Sequence, residues 1–181
     1  MIRNVAIFCA SAKGNDPLYH DAADALGRAL ADRRIGIVYG GANVGLMRSV
    51  AEAALAANGR VVGVIPEVLV NLELAHSGIT ELHVVDTMHT RKALMNSKAD
   101  AFLALPGGFG TFEELFEVLA WQTLKLHAKP IVLLNVNGFY DKLLDFLDHC
   151  VTEGLLKPKN REMLMVATSV EDLLAQLALM D

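Results

Sequence analysis

Ala101-Phe102-Leu103-Ala104-Leu105-Pro106-Gly107-Gly108-Phe109-Gly110-Thr111-Phe112-Glu113-Glu114 is the stretch whose reading decides the fold. Its first five residues are an unbroken apolar run, the pattern of a strand covered on both faces. Pro106 stops the run, and Gly107, Gly108 and Gly110 follow. From Thr111 onward the apolar positions Leu115, Phe116, Val118 and Leu119 fall at helical spacing. A strand, a glycine turn and a helix start bring backbone N–H groups to the positive end of a helix dipole, a place suited to a phosphate. The same residues also have a reading without a ligand. Thr111 and Glu114 spell the Thr-x-x-Glu capping box, and tight turns need glycine in any case.

The chain on either side alternates between strand and helix patterns. Strands are expected over 5–9, 35–39, 60–65, 81–85, 101–105, 131–134 and 164–167. Helices are expected over 18–32, 46–57, 87–98, 111–126, 140–151 and 170–179, and 67–80 reads as irregular. Strict β–α alternation with mostly non-alternating apolar strands predicts an α/β fold. It is read as a single doubly wound, Rossmann-like domain over 1–181, with a mainly parallel sheet flanked by helices. Ligands of such sheets lie at the carboxyl edge of the strands. Three glycine-bearing loops, 10–15, 40–45 and 106–110, follow strand ends there and favour a nucleotide-like ligand. The dinucleotide pattern G-x-G-x-x-G is missing from the first loop, so a redox cofactor is not favoured.

Composition narrows the partners. The 181 residues are 53% apolar and 20% charged, an ordinary globular balance. A net charge of −5 argues against nucleic-acid polymers, which need a basic face. No apolar run approaches the roughly 18 residues of a membrane span, and the first residues lead straight into a strand pattern. Neither a membrane span nor a secretory leader is expected, and the chain reads as cytoplasmic. Cys9 and Cys150 read as reduced thiols. The six histidines show no metal-ligand spacing, so neither a metal nor a cofactor is expected.

Two cations stand out. Asp86 or Thr87 is a natural N-cap, which places Arg91 and Lys92 near a helix start, where the dipole disfavours positive charge. An ion pair to Asp86 or a solvated face would explain either one. An anionic ligand explains both, because this helix also starts at the carboxyl edge. Glu113 and Glu114, beside the glycine turn, add carboxylates to the same region.

At this point the residues resemble those of a known family. Pro106-Gly107-Gly108-Phe109-Gly110-Thr111-Phe112-Glu113-Glu114 is similar to the P-G-G-x-G-T-x-x-E motif of the LOG ("lonely guy") proteins. Met88-His89-Thr90-Arg91-Lys92 is similar to their M-H-x-R-K segment. The resemblance extends over nearly the whole chain, including Tyr39-Gly40-Gly41, Gly45-Leu46-Met47 and the segment from Leu133 to Tyr140. It implies hydrolysis of the N-glycosidic bond of cytokinin riboside 5′-monophosphates, and of AMP, to free base and ribose 5-phosphate. It implies Arg91 and Glu114 as the catalytic pair, and Glu73, Lys92, Gly107, Gly108, Gly110, Thr111 and Glu113 as substrate-binding positions. Spacing alone leaves Glu113 and Glu114 as competitors. Lesser candidates are Met88, His89, Ser11 and Gly41, with His89 reading more readily as a helix-start histidine bonded to a backbone carbonyl. The resemblance also implies a homodimer, sometimes a hexamer, with sites completed across the dimer interface.

The chain departs from the family at Ala10, Ala12 and Ala42, and at Arg48 where glycine is usual; each is expected to add bulk near a substrate edge. A rival reading is a non-catalytic nucleotide or molybdenum-cofactor carrier on a similar scaffold, which needs the glycine cradle but not the catalytic pair. A pyridoxal-dependent lysine decarboxylase is not supported, because no lysine sits in a recognisable Schiff-base setting.

Overall fold

In the computed structural model, which describes residues 1–70, 72 and 74–180, one seven-stranded sheet carries the fold among the described residues. In chain order the elements are β1 Asn4–Phe8, α1 Leu18–Asp32, β2 Gly36–Tyr39, α2 Gly45–Ala56, β3 Val61–Pro66, the short α3 Glu67–Val70 and β4 Glu81–Val85. Then follow α4 Met88–Lys98, β5 Ala101–Ala104, α5 Phe109–Thr123, β6 Ile131–Leu134, α6 Asp141–Thr152, α7 Pro158–Arg161, β7 Leu164–Ala167 and α8 Val170–Ala178. The strand order is β4-β3-β2-β1-β5-β6-β7, and every pairing is parallel.

The central strands are apolar throughout because each has two faces to cover. Ile7, Ile37, Tyr39 and Leu103 join the core under α1, α2 and α8. Phe8, Val38, Phe102 and Ala104 join the other core, under α4, α5 and α6. Phe8 and Phe102 stack across the β1–β5 pair with ring centroids 5.9 Å apart. β4 departs from the expected pattern. It is an edge strand, its exposure alternates, and Leu82 and Val84 face outward. Glu81 there pairs with Arg60 at 2.8 Å and Lys98 at 3.8 Å, charge that blunts an open edge against pairing with another chain.

The chain steps outward from β1 to β4 and then returns to β5 on the other side of β1. The carboxyl ends of β1 and β5 therefore border the switch point, where doubly wound sheets take their ligands. The loops there are tied together. The Ala10 N–H donates to the Pro106 carbonyl at 3.1 Å, and the Leu46 N–H donates to the Ala10 carbonyl at 3.0 Å.

The capping box does not form. α5 starts at Phe109, with Gly108 as an extended N-cap (φ −107°, ψ −150°) and no side-chain cap. Thr111 is thus inside the first turn, 3% exposed. The chain enters the helix at Gly108, three residues before the N-cap that the Thr-x-x-Glu pattern suggested. Within the segment read as irregular, Ala75 bridges Ala42, and the His76 N–H donates to the Gly41 carbonyl at 2.9 Å. No helix among the described residues is long and apolar enough to cross a membrane. Cys9 and Cys150 are both free thiols.

Candidate active site

α4 starts on a side-chain cap: Thr87 Oγ1 accepts from the Thr90 N–H at 3.1 Å. Arg91 lies one turn in and is 8% exposed. Asp86 turns back to accept from the Thr87 N–H at 2.8 Å, so Asp86 is not the partner of Arg91. That partner is Glu114 of α5, itself 7% exposed, with Arg91 Nη2 3.0 Å from Glu114 Oε1. Arg91 Nη1 also points at the Met88 sulfur at 3.7 Å. Its Nε is buried and has no hydrogen-bond partner among the described residues. A guanidinium buried with a donor unspent is costly unless a ligand takes it.

Burial pushes the Glu114 carboxyl up to about 7, against the opposing pull of Arg91. A carboxyl poised near neutrality in a cleft is the property of a general base or acid. The pair faces a cavity of about 320 Å³ at the switch point. Cys9 and Met47 line it, Leu69 and Ser11 flank it, and Gly108, Gly110 and Thr111 of the α5 start bound it. Phe109, 93% exposed, stands at its rim.

The glycines of the motif divide by cause. A Cβ on Gly107 would overlap Thr111 Oγ1, so Gly107 is needed for the threonine to pack there. Gly108 and Gly110 are different: a Cβ on either would meet nothing within 4 Å, and neither has a left-handed backbone. The fold does not require glycine at those two positions. The Phe112 N–H closes the first helical bond on the Gly108 carbonyl at 3.0 Å, so the N–H groups of Phe109, Gly110 and Thr111 precede the ladder. With no side chain capping them, these donors suit an anionic ligand. Gly41 serves the turn after β2, with φ +75° and a would-be Cβ 3.0 Å from Ile65.

Lys92 and Glu113 do not line this cavity. Lys92 Nζ is buried between Glu113 and Glu117, 2.9 Å from the latter. Burial works against the ammonium, but its bonds to Glu113 and Glu117 prevail and hold its pKa above the ordinary lysine value. Glu117 escaped the sequence reading. Its signal was position i+4 from Glu113, on the α5 face turned to α4. Lys92→Ala is expected to lower stability by roughly 2 kcal/mol, short of the ~3–5 of a fully buried pair because Glu113 is half exposed. Thermal melts would read this, and an unchanged melting temperature would make the cluster unimportant to stability.

Of the other residues singled out, Ser11 is at the cavity, Met88 touches Arg91, and His89 is exposed and does not line the cavity. Glu73 lies outside the described residues. Arg48 does not add bulk beside Glu114. It pairs with Glu52 at 2.9 Å along a separate, larger groove of about 670 Å³ between α1 and α2. The arginines of that groove are engaged with its own acids, Arg48 with Glu52 and Arg28 with Asp24, whereas the smaller cavity holds the buried pair.

With this geometry in hand, the comparisons with known proteins fall into place. A family model described as "possible lysine decarboxylase" matches residues 47–177. A cytokinin riboside 5′-monophosphate phosphoribohydrolase of Rhodococcoides fascians is 49% identical over 174 residues, 96% of this chain and 88% of that protein. The Arabidopsis thaliana protein of the same name, LOG2, is 47% identical over 95% of this chain and 81% of its own length. The molybdenum cofactor carrier protein of Chlamydomonas reinhardtii shares the fold, with a TM-score of 0.72 over 98% of this chain and 97% of that one, at 19% identity. By both the matched family model and near full-length relatives, the chain belongs to the LOG family.

Proposed function

We propose that the protein hydrolyses the N-glycosidic bond of cytokinin riboside 5′-monophosphates, with AMP as a second substrate, releasing the free base and ribose 5-phosphate. The observation that carries this is the buried Arg91–Glu114 pair beside the uncapped start of α5. The 5′-phosphate takes the N–H groups of Phe109, Gly110 and Thr111 at the positive end of the helix dipole. The bond between C1′ and the base nitrogen breaks with its electron pair leaving on the base, and positive charge develops on the sugar. Ionised Glu114 stabilises that charge and takes a proton from the water whose oxygen bonds C1′; the proton passes on to the base. Arg91 supports negative charge electrostatically, as a cation and a fixed fork of hydrogen-bond donors. What supports Glu114 over Glu113 is their orientation, since Glu113 is spent on Lys92 outside the cavity.

The same proposal includes a homodimer in the cytoplasm with sites at the dimer interface. Its support is apolar surface at and beyond the rim: Phe109, Phe116, Leu124 and Leu126 are all exposed. The carrier reading needs the cradle but gives the buried pair no task. Decarboxylation through a Schiff base needs a lysine able to lose its proton. Lys92 is instead held charged between two carboxylates, and Lys129, whose ammonium burial disfavours, is bonded to Asn96 and does not line the cavity.

The experiment is incubation of the purified protein with AMP and with isopentenyladenosine 5′-monophosphate, measuring free base. Release from the prenylated nucleotide above AMP is the expected result. Binding of both without release of base from either would replace the enzyme by the carrier. The cradle makes its own prediction. Gly110→Ala is expected to stabilise the fold by about 0.5–1 kcal/mol, as alanine does inside a helix. It is also expected to raise KM about tenfold by keeping the phosphate from the backbone, a loss of ~1.5 kcal/mol. Opposite movements of melting temperature and affinity separate a ligand-dictated glycine from a structural one.

A further inference from the structure

We infer that Gly40 is a positioning residue for this reaction: its missing side chain is the socket that seats the Arg91 guanidinium against Glu114. The inference rests on the hydrolase reading above. Gly40 follows β2 directly and is buried. A Cβ built on it would overlap Arg91 Nη2, and would lie 3.1 Å from Arg91 Cζ and 3.2 Å from the Met47 sulfur. Nη2 is the nitrogen that bonds Glu114 at 3.0 Å. The atom that makes the catalytic contact therefore occupies the volume a side chain at position 40 would claim.

The two adjacent glycines have unlike causes. Gly41 is held by its left-handed backbone and by Ile65, so replacing it strains the turn. Gly40 is outside the left-handed region, so its backbone would accept alanine. The collision is with the far end of a long side chain and not with backbone. Arg91 can yield where the sheet cannot. Alanine at position 40 leaves the fold in place and moves the guanidinium off Glu114, and the apolar neighbours Met47 and Met88 offer it no replacement partner.

The test is a double-mutant cycle between Gly40→Ala and Arg91→Lys, with melting temperatures and kcat/KM for the nucleotide. Lysine ends near the Cζ position and lacks the Nη2 branch, so it coexists with an alanine at 40. Gly40→Ala is expected to lower kcat/KM at least about 30-fold in the wild-type background and less than about threefold in Arg91→Lys. An equal loss in both backgrounds would overturn the inference and make Gly40 a plain packing position. Activity of Gly40→Ala within about twofold of wild type would overturn it too.

A second readout does not need turnover. Glu114 is faced by Arg91 and Lys92 from α4, by Glu113 and Glu117 on its own helix, and by the Cys9 thiol beyond β1. Of these only Arg91 touches the proposed socket. Displacing Arg91 removes a pull that lowers the Glu114 pKa, so the carboxyl of the ligand-free variant is expected to titrate above its wild-type midpoint by NMR. An unmoved midpoint refutes the socket. Wild-type protein that releases no base from any nucleotide refutes the hydrolase reading while leaving that titration to decide the geometry.

Discussion

Glu114→Gln is expected to lower kcat by about 10³-fold while the protein still binds AMP. The amide keeps the size of the carboxyl and a bond to Arg91, but it cannot take a proton from water or offset charge on the sugar. The wild-type pH profile carries the same information. Burial holds Glu114 near 7, so the ionised form is scarce at pH 5 and dominant at pH 8. kcat/KM is expected to rise with pH through about 7, and the residual activity of the variant is expected to lack that rise. Full turnover by the variant would remove Glu114 from the chemistry. A wild-type profile that instead falls through neutrality would make the carboxyl a proton donor to the departing base.

Arg91→Ala is expected to cost about 10²–10³ in kcat/KM, the range seen when one preorganised donor is taken from a site. Its effect on stability depends on pH. The folded Glu114 pKa, about 7, lies above the ordinary 4.5, so its contribution to stability is complete below about 4.5 and is lost as pH rises through about 7. Without Arg91 the folded pKa climbs further, and the loss continues to higher pH. The variant is therefore expected to melt within about 2 °C of wild type at pH 5 and to fall clearly behind at pH 8. An equal deficit at both values would make Arg91 a packing element whose charge is irrelevant.

Much of the sheet was legible because most of its strands are short, largely apolar runs punctuated by glycine and proline. β4, β6 and β7 fall on the expected residues, β2 and β5 differ by one residue at one end, and β1 and β3 by one residue at each end. The pairing of Arg91 with Glu114 was legible only as two charges in suspicious places. Nothing in spacing says that residues 23 positions apart on two helices will meet, because that contact is made by two helices packed on one face of the sheet. The capping alternative for Thr111 fails for a local reason: the helix is entered at Gly108, so Thr111 lies inside its first turn, packed against Gly107. Lys92 and Glu113, substrate contacts by the resemblance, border residues that face the cavity without lining it themselves. On a helix, neighbours in sequence point about 100° apart, and these two point to each other. Along α2 Met47 lines the cavity, while Arg48, the next residue, lines the groove beside it.

The cradle depends on a bond between residues far apart in the chain, the Ala10 N–H on the Pro106 carbonyl, and on β1 lying between β2 and β5. During synthesis this has a consequence. A nascent chain that ends before Ala101 already has β1 paired with β2, yet the other edge of β1 is open and apolar. Such an edge invites pairing with a neighbouring chain until β5 emerges to cover it. Because α5 follows β5 at once, the strand that closes the sheet also delivers the helix start that completes the anion cradle. A chain released before residue 101 would thus expose that edge to aggregation, whereas one released after residue 123 carries β5 and the whole of α5.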